Sequence, residues 1–263
     1  MARRVVDEGF ALTLWARRPE SLEPFADSAA TVALSPAALA AVSEIVCICV
    51  TGDVDVEQVV LGPDGVLGGL AAGGVLIIHS TVHPETCQRL SEVAAEKEIV
   101  LLDAPVSGGG PAAMERALLV MVGGDRTILE RVRPVLASFG DPILHLGPVS
   151  AGQTAKLINN LAFTAQLAFA LDLFAFVDQL GVDRAAMAQV LDRGSGGSRA
   201  SSIVSGSAFE LSGLGQVAGP LLQKDFGLVA DIARTRNVDL PEALRRLAES
   251  SLAVLNSTET DRT

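Results

Sequence analysis

The sequence predicts a two-part α/β molecule: a mostly parallel sheet covered by helices over residues 1–149, then an all-helical domain over residues 150–263 built on one long helix. Short β-branched runs alternate with amphipathic or Ala-rich segments up to about residue 147. After Gly147 the strand signals stop and one apolar helical segment of roughly thirty residues begins. A third observation concerns the start, where a helix feeds a strand although a parallel unit should open with a strand.

In MARRVVDEGFALTLWARRPE, Arg3 to Glu8 reads as the last turns of a helix, Gly9 as its stop, and Ala11 to Trp15 as a strand ending in Arg17 and Arg18. The sheet is therefore expected to be N-terminally incomplete, with one strand and its turn ahead of Met1. EIVCICV, GVLIIHS, EIVLLDA, ALLVMVGG and PILHLG are the further strand candidates. RPESLEPFADS, SPAALAAVS, PETCQRLSEVAAEKE and DRTILERVRPVLASF read as helical. Strands apolar on both faces indicate a parallel sheet buried between helices. Cys47 and Cys49 occupy alternate positions of one strand and read as buried small apolar residues. Pro84 and Glu85 open a helix, which sets Ser80 and Thr81 at the carboxyl end of a strand, the edge where open α/β sheets bind ligands.

The segment SAGQTAKLINNLAFTAQLAFALDLFAFVDQLG is apolar nearly all round, so it belongs in a helical core or a subunit interface. Further helices are expected at Arg184 to Leu191, Leu221 to Asn237 and Pro241 to Leu255, separated by the loop RGSGGSRASS and the Gly-rich stretch LSGLGQVAGP. The tail STETDRT is polar and expected to fray.

A formal net charge of −11 argues against a polyanionic partner, because phosphate recognition needs a basic surface; no nucleic acid is expected. The longest apolar run, Leu161 to Val177, is interrupted by Gln166 and Asp172, and no signal-peptide pattern opens the chain, so a soluble, cytoplasmic protein without a membrane partner is expected.

Four stretches could carry chemistry. In DAPVSGGGPAAM, Ser107 with Gly108, Gly109 and Gly110 offers a hydroxyl and unshielded backbone N–H groups suited to a carboxylate, or simply a tight turn. In GPVSAGQTAKLINN, Lys156, Asn159 and Asn160 share one helix face, either as a polar site or as a solvated helix end. Lys224 and Asp225 interrupt another apolar helix as a site or an ion pair. His79, His83 and Cys87 have metal-like spacing but straddle a strand end and a helix start, so no metal is expected.

These motifs, in this order, resemble the β-hydroxyacid dehydrogenase family, which includes 3-hydroxyisobutyrate dehydrogenase, tartronate semialdehyde reductase and glyoxylate reductases. DAPVSGG resembles its substrate-binding signature and GQTAKLINN, Gly152 to Asn160, its catalytic motif; HSTVHPET and the Lys224–Asp225 pair resemble it less specifically. The resemblance implies a Rossmann-like first domain binding NAD or NADP, and a second domain of the 6-phosphogluconate dehydrogenase type that forms a homodimer or a dimer of dimers. It implies Lys156 as catalytic acid and base, Ser107, Gly108 and Gly109 on the substrate carboxylate, and Asn160 orienting a short hydroxyacid or its semialdehyde. Val50 and Thr51 would contact the adenosine side, Thr81 would lie beside the nicotinamide, and Lys224 would reach the cofactor. Arg17 and Arg18, with no acid at that strand end, favour NADP over NAD. No G-x-G-x-x-G turn stands before the first helix. The competing expectation is a cofactor-impaired relative serving as a dimeric binding module, with an open groove beside the sheet.

Overall fold

Val75 to Ile78 carry no polar side chain, and in the computed structural model, which describes residues 1–257, all four are completely buried. They form one strand of an architecture that runs in order from a six-residue helix, α1 (Ala2–Asp7), ended at Gly9 with φ of 83°. There follow β1 (Thr13–Leu14), a 3-10 segment at Pro19–Phe25, β2 (Thr31–Val32), α2 (Pro36–Ala40), β3 (Ile45–Ile48) and α3 (Asp53–Leu61). Next come β4 (Val75–Ile78), α4 (Pro84–Ala95), β5 (Val100–Asp103), β6 (Val106–Ser107), α5 (Gly109–Met114), β7 (Leu118–Gly123), α6 (Arg126–Ala137) and β8 (Gly140–Gly147). The helices α7 (Ala151–Gln179), α8 (Arg184–Arg193), α9 (Arg199–Gly206), α10 (Ser212–Thr235) and α11 (Glu242–Asn256) complete it. Met1–Lys156 packs as one unit and the chain from Leu157 as a second.

In the first unit the main sheet has the order β3-β4-β5-β7-β6, with β8 beside β7. The strands β3, β4 and β5 are parallel and in register, Ile45 opposite Val75 and Val75 opposite Val100. β7 runs antiparallel to β5 and β6 and parallel to β8. Leu76 and Ile78 face a core with Val56, Val60 and Leu90 of α3 and α4, whereas Val75 and Ile77 face one with Leu129, Val132 and Leu136 of α6. Burial on both faces is why β4 reads as an unbroken apolar run.

Several sequence expectations are corrected here. The strand expected over Ala11 to Trp15 is only Thr13–Leu14, because its one ladder, to β2, covers two residues; the pair forms a separate parallel sheet that shares no ladder with β3. RPESLEPFADS folds as a 3-10 segment with Pro24 inside it, where proline's missing N–H works against an α-helix. Cys47 and Cys49 are exposed rather than buried. Val5 of α1 and Ile45 share one core, and the Met1 amine stands close enough to Cys49 to act on it electrostatically. Both thiols nevertheless sit recessed among protein atoms, and this desolvation holds them above the ordinary range, Cys49 at about 11.

The long helix is present as α7, 29 residues whose first turns belong to the first unit and whose remainder, from Leu157, opens the second. By length and composition α7 could cross a bilayer, yet Leu167, Ala170 and Phe174 are core residues packed with Leu191, Val204, Leu222 and Leu252. RGSGGSRASS is only half loop: Ser198 caps α9 reciprocally with Ser201, and helix begins at Arg199. LSGLGQVAGP is not a separator but the first turns of α10. Its glycines let α10 lie close against α11, since a Cβ on Gly219 would stand 2.9 Å from Asn256 Oδ1 and one on Gly215 would collide with the Leu255 carbonyl. Of the polar tail, the segment from Thr258 lies outside the described residues.

Candidate active site

The carboxyl ends of β3, β4 and β5 lie side by side, and each carries a polar group toward the loop that follows it. Ser80, just past β4, is buried and its Oγ accepts the Val50 N–H at 2.8 Å, tying the loop after β3 to the loop after β4. Asp53, in the first turn of α3, accepts from the His83 N–H at 2.8 Å and the Thr86 hydroxyl at 2.7 Å, a second tie between those loops. Asp103 ends β5 completely buried and receives the first turn of α7: Oδ1 accepts Ser150 N–H at 2.6 Å and Oδ2 accepts Gln153 N–H at 2.7 Å. A carboxylate here satisfies N–H groups that the helix leaves unpaired and faces the positive end of its dipole. Burial pushes the Asp103 carboxyl above its ordinary range, and the backbone N–H groups pull it part of the way back.

Gln153, also completely buried, donates from Nε2 to the Ser80 carbonyl at 2.8 Å and accepts the Val82 N–H on Oε1 at 3.1 Å. Gly152 makes the approach possible, because a Cβ there would stand 2.8 Å from Asp103 Oδ2. The half-buried Lys156 follows three residues later on the same helix. Val50, Thr51, Thr81 and Lys156 are thus carried by segments fixed to one another through side-chain hydrogen bonds, buried at Asp103 and Gln153 and half-buried at Ser80 and Asp53.

The other expected residues are distributed as follows. Ser107 lies on β6, beyond β7, paired with Leu119 and half-buried. Gly108 takes φ of 129° and Gly109 φ of 70°, and a Cβ on Gly108 would meet Ala112 Cβ at 2.6 Å, so glycine is required there for the exposed turn to form. Arg17 and Arg18 are exposed, and Arg17 is engaged with Asp55 at 2.7 Å. In the second unit Asn160 donates Nδ2 to Asp225 Oδ2 at 2.6 Å, and Lys224 pairs with Asp225 Oδ1 at 2.8 Å. Asp225 is buried, so the Lys224–Asp225 stretch is more than a solvated ion pair: its carboxylate holds Asn160 as well.

His79 is buried with Nδ1 at 2.6 Å from the Ala104 carbonyl and its ring edge-on to Phe139; burial lowers it to about 4. Among the described residues no cluster of three His, Cys, Asp or Glu side chains could hold a metal ion. The sequence alone singled out none of Asp53, Asp103 and Gln153, and it set Ser80 at a ligand-binding strand edge and Asp225 in a site or an ion pair without showing their partners. Asp103 and Gln153 lie inside the two quoted motifs, and a polar side chain ending an apolar strand was the available signal.

As a dinucleotide site, the residues present fit two parts of the ligand. The exposed guanidinium groups of Arg17 and Arg18 carry the charge that a ribose phosphate would need, and the loops after β3 and β4 stand at the carboxyl edge of the sheet, where open α/β sheets bind ligands.

Residues 1–147 match the family model described as the NAD binding domain of 6-phosphogluconate dehydrogenase, and residues 150–261 match that described as NAD-binding of NADP-dependent 3-hydroxyisobutyrate dehydrogenase. The chain belongs to the β-hydroxyacid dehydrogenase family. Among β-hydroxyacid dehydrogenases, it is 35% identical over 205 residues to 2-(hydroxymethyl)glutarate dehydrogenase of Eubacterium barkeri, covering 77% of this chain and 68% of that one. It is 34% identical over 197 residues to 3-hydroxyisobutyrate dehydrogenase of Pseudomonas aeruginosa, covering 75% and 66%. The solved structure of Psf3 in complex with NADP+ and 2-OPP superposes with a TM-score of 0.83 at 25% identity, covering 96% of this chain and 89% of that one.

Proposed function

We propose that this chain is an oxidoreductase that interconverts a short 3-hydroxyacid, or 2-hydroxyacid, and its semialdehyde or oxo acid, with NADP preferred over NAD. The observation that carries the reading is the anchoring of the Lys156 helix by Asp103 and Gln153 at the carboxyl edge of the sheet. A bound nicotinamide dinucleotide supplies or accepts the hydride. Lys156 as an ammonium gives its proton to the substrate oxygen in reduction and, as an amine, takes the hydroxyl proton in oxidation. Ser107 and the N–H groups of Gly108 and Gly109 bind the substrate carboxylate. Asn160, held by Asp225, orients the carbon that reacts. Val50 and Thr51 serve the adenosine side, Thr81 the nicotinamide, and Lys224 has a cofactor-binding role. Arg17 and Arg18 provide the charge that a 2′-phosphate needs. The names of the curated relatives support a branched or short 3-hydroxyacid as the substrate class.

A homodimer in the cytoplasm completes the reading. Ile158, Phe169 and Phe176 are all exposed on α7, and spacings of eleven and seven residues set them on one face, an apolar stripe suited to a second copy. Fluorescence titration with NADPH and NADH, followed by turnover assays on short semialdehydes and hydroxyacids, tests the proposal. Saturable NADPH binding with tighter affinity than NADH, and turnover of at least one such acid, are expected; no saturation with either nucleotide overturns it. One observation favours a second reading, a dimeric binding module: the β1–β2 pair stands apart from the main sheet. That reading predicts dimerisation without nucleotide binding.

A further inference from the structure

We propose that Gln153 is a positioning residue that locks the loop Ser80 to Val82 onto the first turn of α7, and so fixes where Lys156 stands relative to Thr81. The inference rests on the roles given to Thr81 and Lys156 above. Gln153 is completely buried, and both ends of its amide are used on one loop: Nε2 donates to the Ser80 carbonyl at 2.8 Å and Oε1 accepts from Val82 N–H at 3.1 Å. Those two backbone groups flank Thr81. A buried glutamine satisfied by unrelated neighbours would serve packing alone, whereas this one grips the loop on either side of a single residue.

The helix end of the grip is equally fixed. Gln153 N–H is held by Asp103 Oδ2 at 2.7 Å, Ser150 N–H by Asp103 Oδ1 at 2.6 Å, and the Ser150 hydroxyl donates to the Pro84 carbonyl at 2.7 Å. Lys156 lies three residues on, a rise of roughly 4.5 Å along a rigid helix. The Ser80 hydroxyl carries the tie onward to Val50, so the clasp also reaches the loop after β3. An amide is the one ordinary side chain of this length with both a donor and an acceptor at neutral charge. A carboxylate loses the donor to Ser80, and a thioether loses both.

Gln153→Met, which keeps volume and removes both hydrogen bonds, tests the clasp through two readouts. The Val82 amide is expected to exchange with solvent at least tenfold faster, with the amides of β4 and β5 unchanged. With NADPH and a semialdehyde that the wild type reduces, Kd and KM are expected to stay within about threefold while kcat falls at least thirtyfold, because a displaced but intact site loses alignment before binding. Gln153→Asn, a shortened amide that is easier to accommodate, should show the same split with a smaller drop. Unchanged Val82 exchange overturns the clasp; faster exchange with wild-type kcat overturns its positioning role. If the wild type turns over no hydroxyacid or semialdehyde and Lys156→Ala behaves identically, the proposed function has failed, and Val82 exchange still decides whether Gln153 holds the loop.

Discussion

Two parts of the first unit carry halves of the same proposed cofactor site and are built to opposite standards. Around β4 and β5, strand residues are buried on both faces and the loops beyond them are tied by Ser80, Asp103 and Gln153. Around β1 and β2, two-residue strands pair only with each other, Val32 is 60% exposed and Leu34 97% exposed, and Arg17 leans on a surface ion pair with Asp55. Precise alignment is needed where hydride and proton move, and the proposed function puts both steps beside the buried hydrogen-bond frame. Charge recognition of a ribose phosphate tolerates looser geometry, since a guanidinium acts over several ångströms.

The contrast can be broken by truncation. Leu76→Ala removes a completely buried side chain and is expected to destabilise folding by about 3–5 kcal/mol. Val32→Ala, in an exposed strand, should cost below about 1 kcal/mol. Chemical denaturation of both variants measures the difference; equal losses would contradict the distinction.

A second test uses pH. His79 is held near 4 by burial against an ordinary value of 6.5, so the unfolded chain binds a proton in that interval that the folded chain does not. Stability therefore rises with pH between about 4 and 6.5 and is lost as pH falls through that window, by up to about 3 kcal/mol from this group. His79→Asn, which cannot titrate, should flatten that part of a denaturation-against-pH curve.

A smaller effect is expected at the loose end. Arg18→Ala should weaken NADPH roughly tenfold, about 1.4 kcal/mol, and leave NADH nearly unchanged. Titration of both nucleotides reads this out, and equal weakening of the two would remove Arg18 from the 2′-phosphate.

The same contrast explains what the sequence made legible. GVLIIHS announced a strand because burial on both faces leaves only apolar residues, and α7 announced itself because a helix buried on several sides is apolar all round. β2 was missed because Thr31 and Val32 are two exposed residues with no period to read. The start of α10 was read as loop because glycine usually marks turns, whereas Gly215 and Gly219 serve close helix packing. Lys156, Ser107 and Asn160 were visible as odd polar residues in apolar surroundings. Their supports were not: Gln153 meets Ser80 and Val82 across more than seventy positions, and Asp225 meets Asn160 across 65, separations that no local pattern encodes.

The central claim is that the helix anchored at the sheet edge delivers Lys156 as the proton donor. The most direct test is the rate of NADPH consumption with short semialdehydes by the wild type and by Lys156→Ala, measured at matched thermal stability. Turnover by the wild type, reduced by two to four orders of magnitude in the variant with NADPH affinity unchanged, is the predicted result. Equal turnover in the two proteins would contradict it.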